Sequence, residues 1–303
     1  MDYISLLQKE MRPAFGCTEP IALAYAAAKA ASVLDEFPNH IHARCSANII
    51  KNVKSVVIPN SGGRKGLAAA TVLGAIVGHP ERELEVLESA TDEDRKWLGT
   101  LLEANFCTVE LAEGVDNLYI EITATTDEHT AVVRIENAHT NITYVSIDGN
   151  VISETINEIK EAERSTCPMT FDSIYEFAKA GDISGILPSI KQQVEYNTAI
   201  SNEGLSNDYG ANIGRLLLLD DETPSLETKC KARAAAGSDA RMSGCPLPVV
   251  ICSGSGNQGL TVSMPIITTA EELGKTDEEL YRALVFANLL TLYVKSGIGK
   301  LSA

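Results

Sequence analysis

The sequence predicts an α+β protein, a mostly helical body with an inserted α/β domain that contains a mainly antiparallel sheet. Three observations carry this. Four short β-like runs, at 107–111, 118–125, 130–135 and 141–146, follow one another with only short polar turns between them, the pattern of hairpins. Apolar and polar residues alternate clearly in Tyr119-Ile120-Glu121-Ile122-Thr123 and in Ala131-Val132-Val133-Arg134-Ile135, the period of a half-buried strand. Most of the chain on either side of that block reads as helix instead.

In order, residues 2–12 form a short amphipathic helix with Ile4, Leu6, Leu7 and Met11 on one side. The stretch Pro-Ala-Phe-Gly-Cys-Thr-Glu-Pro at 13–20 interrupts it. Thr18 suits an N-cap and Glu19 suits the positive end of the helix dipole, so an alanine-rich helix is expected over 21–33. Residues 42–58 read as a strand in their second half, through Val53, Val56, Val57 and Ile58, closed by Pro59. A Ser-Gly-Gly-Arg-Lys-Gly turn at 61–66 precedes an apolar helix ending near Val77, and acidic helical segments occupy 81–89 and 92–103. Past the sheet, Asp148-Gly149-Asn150 is a turn where a domain boundary is expected, and polar residues 151–169 read as a connector. Helices are expected at 170–180, 184–206, 210–219, 225–243 and 277–298. The helical body then comprises 1–40 with 151–303, and the inserted domain 41–150. The strongly apolar run 281–290 is followed by no polar closing segment. The body is therefore expected to be truncated at its C-terminus.

A net charge of −16 disfavours nucleic acid and anionic membranes as partners. No apolar run approaches the roughly 20 residues that span a bilayer, and no basic region followed by an apolar stretch opens the chain. A cytoplasmic protein is expected, with its seven cysteines reduced.

Several segments can carry chemistry. At 253–259, Ser-Gly-Ser-Gly-Asn-Gln-Gly places three glycines where a backbone can approach a ligand, and successive N–H groups in such a turn can hold an anion. A solvated loop is the alternative. Cys17 stands before a helix N-terminus, where the dipole favours a thiolate; it is a nucleophile, a metal ligand or a small buried residue of the turn. Cysteine spacing matches no zinc or iron–sulfur motif, Cys245 and Cys252 being seven apart. Gly62 to Gly66, with Arg64 and Lys65, is an anion cradle or a solvated helix-starting turn, without the spacing of a P-loop. Asn48, Lys51 and Asn52 gather amides and an amine. His139, at the entrance to a strand, can act as a general base. Ser238-Asp239-Ala240-Arg241-Met242 reads as an ion pair at a helix end.

Taken in order, Gly16-Cys17-Thr18-Glu19-Pro20, Asn48-Ile49-Ile50-Lys51-Asn52, Ser61-Gly62-Gly63, His139-Thr140-Asn141-Ile142, Ser238-Asp239-Ala240-Arg241-Met242 and the 253–259 segment resemble the L-cysteine desulfidase family. That family is related to the alpha chain of iron–sulfur L-serine dehydratases. The resemblance runs along essentially the whole chain, and the first and last motifs are its most specific parts. It implies a lyase with an oxygen-sensitive [4Fe–4S] cluster held by three cysteines, Cys17 being the first. An open iron would act as Lewis acid on the leaving group. L-Cysteine or L-serine would be cleaved to pyruvate and ammonia, with release of sulfide or water. Ser253, Gly254, Ser255, Gly256, Asn257 and Gln258 would hold the substrate carboxylate, with Asn48 and Asn52 positioning the amino acid. His139 or Lys51 would take the α-proton. In the family the other cluster cysteines lie in a C-terminal Cys-Asp-Gly-Ala-Lys type motif, which this chain lacks. The chain as it stands is therefore expected to be inactive and without a cluster. A homodimer and a small amino-acid substrate are the expected partners. Two other readings compete: a non-catalytic amino-acid-binding or sensing module, and an enzyme using Cys17 as nucleophile with His139.

Overall fold

The computed structural model describes residues 2–155, 169–219 and 222–298. Helix α1 (Tyr3–Glu10) and strand β1 (Pro13–Phe15) lead into α2 (Thr18–Leu34), β2 (His40–Cys45), α3 (Ala47–Val53), α4 (Leu67–Val77) and α5 (Asp92–Glu103). Five strands follow, β3 (Cys107–Leu111), β4 (Tyr119–Thr125), β5 (Thr130–Glu136), β6 (Ile142–Ile147) and β7 (Asn150–Glu154). The rest is α6 (Phe171–Ala180), α7 (Leu187–Ser206), α8 (Ile213–Leu219), α9 (Leu226–Met242), β8 (Pro248–Val250), α10 (Gly256–Glu272) and α11 (Asp277–Ile298). The α+β class read from the sequence is the class observed. Residues 15–159 form one compact unit, and residues 1–14 with 160–303 form another.

The first unit is built on a six-stranded sheet of order β3-β2-β4-β5-β6-β7. Every neighbouring pair is antiparallel except β2 with β3. Alternate residues Ile120, Ile122 and Ala124 of β4, and Ala131, Val133 and Ile135 of β5, are fully buried. Helix α2 packs on those two strands and on α4. Every residue from Ile21 to Ala28 is buried, so α2 is enclosed on all sides, and its alanines let neighbours approach closely. This packing places α2 with the sheet. The helical body therefore begins with residues 1–14 and not with the expected 1–40.

Four expectations are corrected here. The Asp148-Gly149 turn is no domain boundary but the tip of the β6–β7 hairpin, with φ of 50° and 77° at its two residues, as a type I′ turn requires. Strand β7 is exposed on both faces, so it carries no alternation to read; residues 156–168 of the expected connector lie outside the described residues. The strand expected in the second half of 42–58 lies in the first half, as β2. There Ser46 caps α3, accepting from Ile49 N at 3.4 Å; the helix takes Val53, and Val56, Val57 and Ile58 follow it in a non-helical segment where Val57 bridges Lys65. The alanine-rich helix also starts earlier than expected, with Cys17 and not Thr18 at the N-cap.

In the second unit, β1 pairs with β8 in a two-stranded sheet, and α9 packs against α7, α8 and α10. Among the described residues no helix is long and apolar enough to cross a membrane. Helix α11 opens with a capping box. Glu279 N donates to Thr276 Oγ1 at 3.3 Å, and Glu279 Oε2 accepts from Thr276 N at 3.0 Å. That backbone bond, with Lys275 adjoining, pulls the Glu279 carboxyl down to about 2 from an ordinary 4.5. A depressed carboxylate stabilises the fold fully above its unfolded value and stops doing so as pH falls through its folded value. Glu279→Gln should therefore lower the melting temperature at pH 7, and the difference from wild type should close as the pH is taken from 4.5 toward 2. Thermal melts across that range check it.

Candidate active site

The site is built from the Gly16 turn. Gly16 has φ +73°, and a Cβ there would lie 2.0 Å from Pro59 Cγ. Only glycine fits both the left-handed backbone and the close proline. The turn sets Cys17, Thr18 and Glu19 at the start of α2, all buried, with Glu19 only 4% exposed. The Glu19 carboxylate is a hub. Oε2 accepts from Cys17 Sγ at 3.1 Å and from Thr18 Oγ1 at 3.2 Å. Oε1 accepts from Asn52 Nδ2 of α3 at 3.4 Å and stands 4.0 Å from His139 Nε2, in the β5–β6 turn.

A buried carboxylate is costly unless it is hydrogen-bonded and offset by positive potential. Glu19 has both, through these donors and the first turn of α2. The arrangement couples three proton-bearing groups, a thiol, a carboxyl and an imidazole. As the bond is drawn, the thiol proton points at Glu19. Ionising Cys17 beside an ionised Glu19 would put two negative charges 3.1 Å apart. The His139 imidazole is placed to offset that charge in its protonated form.

The structure thus brings together three residues singled out in the sequence, Cys17, Asn52 and His139. It adds Glu19 and Thr18, which the sequence suggested only as parts of a motif and a cap. Asn48 is half-buried on α3, and Lys51 on the same helix is exposed. The Gly62 to Lys65 segment is exposed and folds onto itself. Ile58 N donates to Arg64 O at 2.9 Å and Ser61 Oγ to the same oxygen at 3.1 Å, so Arg64 and Lys65 lie on a solvated turn.

Ser253, Gly254, Ser255, Gly256, Asn257 and Gln258 belong to the second unit. Ser253 and Gly254 have φ of 52° and 78°, and Cys252 and Ser255 exchange backbone hydrogen bonds of 3.1 and 3.2 Å. Ser255 then caps α10, accepting from Gln258 N at 3.3 Å. Gly256, Asn257 and Gln258 are therefore the first turn of a 17-residue helix and not a free loop, a place where unpaired amides favour anions. The ion pair expected within 238–242 does not form. Asp239 Oδ2 accepts from Ile213 N at 2.9 Å, at the start of α8, while Arg241 Nη1 donates to Asn257 Oδ1 at 3.0 Å.

Among the described residues, no group of three or more His, Cys, Asp or Glu side chains gathers as a metal site. Cys17 is a single thiol within its cluster, so the described donors do not fit a [4Fe–4S] cluster, and no chemical step is assigned to one. Burial pushes the Cys45 and Cys252 thiols up to about 12, which leaves them protonated and inert at neutral pH. Iodoacetamide at pH 8 should label neither in the folded protein and both after denaturation, as peptide mass spectrometry will show.

Residues 81–303 match the family described as serine dehydratase alpha chain. A UPF0597 protein of Finegoldia magna is 46% identical over 305 residues, covering 100% of this chain and 72% of its own length. UPF0597 proteins of Lachnoclostridium phytofermentans and Desulfitobacterium hafniense are 44% and 43% identical, each over 99% of this chain and over 72% and 70% of their own lengths. No solved structure matches. The match covers most of the chain's length, and the chain belongs to the serine dehydratase alpha chain family.

Proposed function

We propose that the protein is a lyase that removes the β-substituent of a small L-amino acid, L-serine or L-cysteine. The observation that carries this is the buried Glu19 carboxylate, which receives the Cys17 thiol, the Thr18 hydroxyl and the Asn52 amide beside the His139 imidazole. β-Elimination needs a proton taken from Cα and a hydroxide or thiolate released from Cβ. The products are 2-aminoacrylate and water or hydrogen sulfide, and aminoacrylate then tautomerises and hydrolyses to pyruvate and ammonia. A buried carboxylate and a half-buried imidazole 4.0 Å apart suit such proton transfers. Glu19 and His139 hold and move the proton, and Thr18 and Asn52 fix the carboxylate's direction. Lys51, exposed on α3, is the weaker candidate for the base. Family membership supports a lyase of amino-acid catabolism. L-Cysteine desulfidase activity and a cluster with Cys17 as one ligand are the finer form of the proposal, resting on the motif resemblance.

The test is the protein at the full length of its relatives, 72% of which this chain matches, purified without oxygen, supplied with iron and sulfide, and given L-serine or L-cysteine. Pyruvate is expected from at least one. Binding of both amino acids without any keto acid would favour a sensing module, and equal activity in air without iron would favour Cys17 as a nucleophile.

A further inference from the structure

We infer that Arg241 is the cationic half of a carboxylate-binding site at the N-terminus of α10. The inference rests on the reading of Ser253 to Gln258 as the place where an amino acid's carboxylate is held, and it supplies the charge that reading lacked. Arg241, at the end of α9, is only 2% exposed. Its Nη1 is satisfied by Asn257 Oδ1 at 3.0 Å and faces Met242 Sδ at 3.5 Å. Its Nε is buried and has no hydrogen-bond acceptor. Among the described residues no carboxylate pairs with it, because Asp239, two residues earlier, is committed to the amide of Ile213.

A guanidinium taken out of water without an anion is expensive, and such groups are normally paired. This one packs against the first residue of α10. A Cβ on Gly256 would stand 2.2 Å from Arg241 Nε and 2.5 Å from Cζ, so glycine at 256 is what admits the guanidinium. The free Nε side of the fork has the planar geometry that suits a carboxylate. The opening turn of α10, capped by Ser255, adds roughly half a positive charge. One fixed cation and one helix start together match the single charge of a carboxylate better than the roughly −2 of a phosphate monoester. The ligand class is therefore a small monocarboxylate, as an amino acid's α-carboxylate is.

Propionate and its neutral isostere propionamide are the probes, titrated calorimetrically into the whole protein. Wild type should bind propionate and not propionamide. Arg241→Met should weaken propionate at least tenfold, and Gly256→Ala should do the same by displacing the guanidinium. Should Arg241→Met fail to fold, the Nε–H resonance of Arg241, assigned by its loss in Arg241→Lys, should shift with propionate and stay in place with propionamide. Unchanged propionate affinity in folded Arg241→Met, or a wild type that binds neither probe or both equally, overturns the site. Arg241-dependent propionate binding in a protein that forms no pyruvate removes the lyase proposal and leaves the site standing. Pyruvate formation with an unaltered KM in Arg241→Met does the reverse.

Discussion

Gly74→Ala is expected to cost the sheet unit about 2–3 kcal/mol of stability, the upper part of the range for overpacking. Gly74 lies in α4 where it crosses α2. A Cβ there would stand 2.2 Å from the backbone oxygen of Ala24 and 2.4 Å from its Cα. Nothing at that contact is the far end of a side chain, so relief requires the two helices to separate. Alanine's better helix propensity returns about 1 kcal/mol, which the clash outweighs. Separation would also matter for chemistry, because α2 carries Cys17, Thr18 and Glu19 at its first turn. A melting temperature several degrees lower, with less cooperative loss of the sheet signal, is the expected result. An unchanged melt would mean that the helices do not cross this closely.

Glu19→Gln is expected to leave the fold in place and reduce turnover by roughly 10²- to 10⁴-fold, the scale of general acid–base catalysis. The substitution keeps the side chain's length and removes its charge. An amide nitrogen in place of Oε2 cannot accept from the Cys17 thiol or the Thr18 hydroxyl, which meet that oxygen at 3.1 and 3.2 Å. Neutralising a buried carboxylate removes its desolvation cost along with its bonds, so the effect on stability is small compared with the effect on rate. Steady-state kinetics beside a thermal melt separate the two. Wild-type kcat in Glu19→Gln would leave proton transfer to His139 or to another group.

Much of the fold was legible because its local signals agree. Strands β4, β5 and β6 are joined by short turns, and β5 buries every second residue. Strand β7 was not legible, since neither of its faces is covered. Helix α10 was hidden by its composition. Its buried residues Gly256, Gly259, Leu260, Ser263, Met264 and Ile267 fall at helical spacing, but glycine, serine and the internal Pro265 are weak helix signals. At the site, Cys17 and His139 stood out as reactive types in unusual places. Glu19 did not, because a glutamate in a first helical turn is explained by the dipole alone. Its role appears only when the chain brings α3 and the β5–β6 turn to the same carboxylate. Arg241 was misread for a similar reason. Asp239 in the same short motif suggested an ion pair, and the distant α8 takes that carboxylate instead.

Cys17 is the residue on which the sequence motif and the buried hub coincide, and removing its sulfur tests the lyase proposal most directly. Pyruvate release from L-serine and L-cysteine should be measured for wild type and Cys17→Ala side by side, both at the full length of the relatives, anaerobically and with iron and sulfide, at matched folding by circular dichroism. Turnover by wild type and none by the variant is the predicted result. Full turnover by Cys17→Ala would contradict it and place the reaction away from the start of α2.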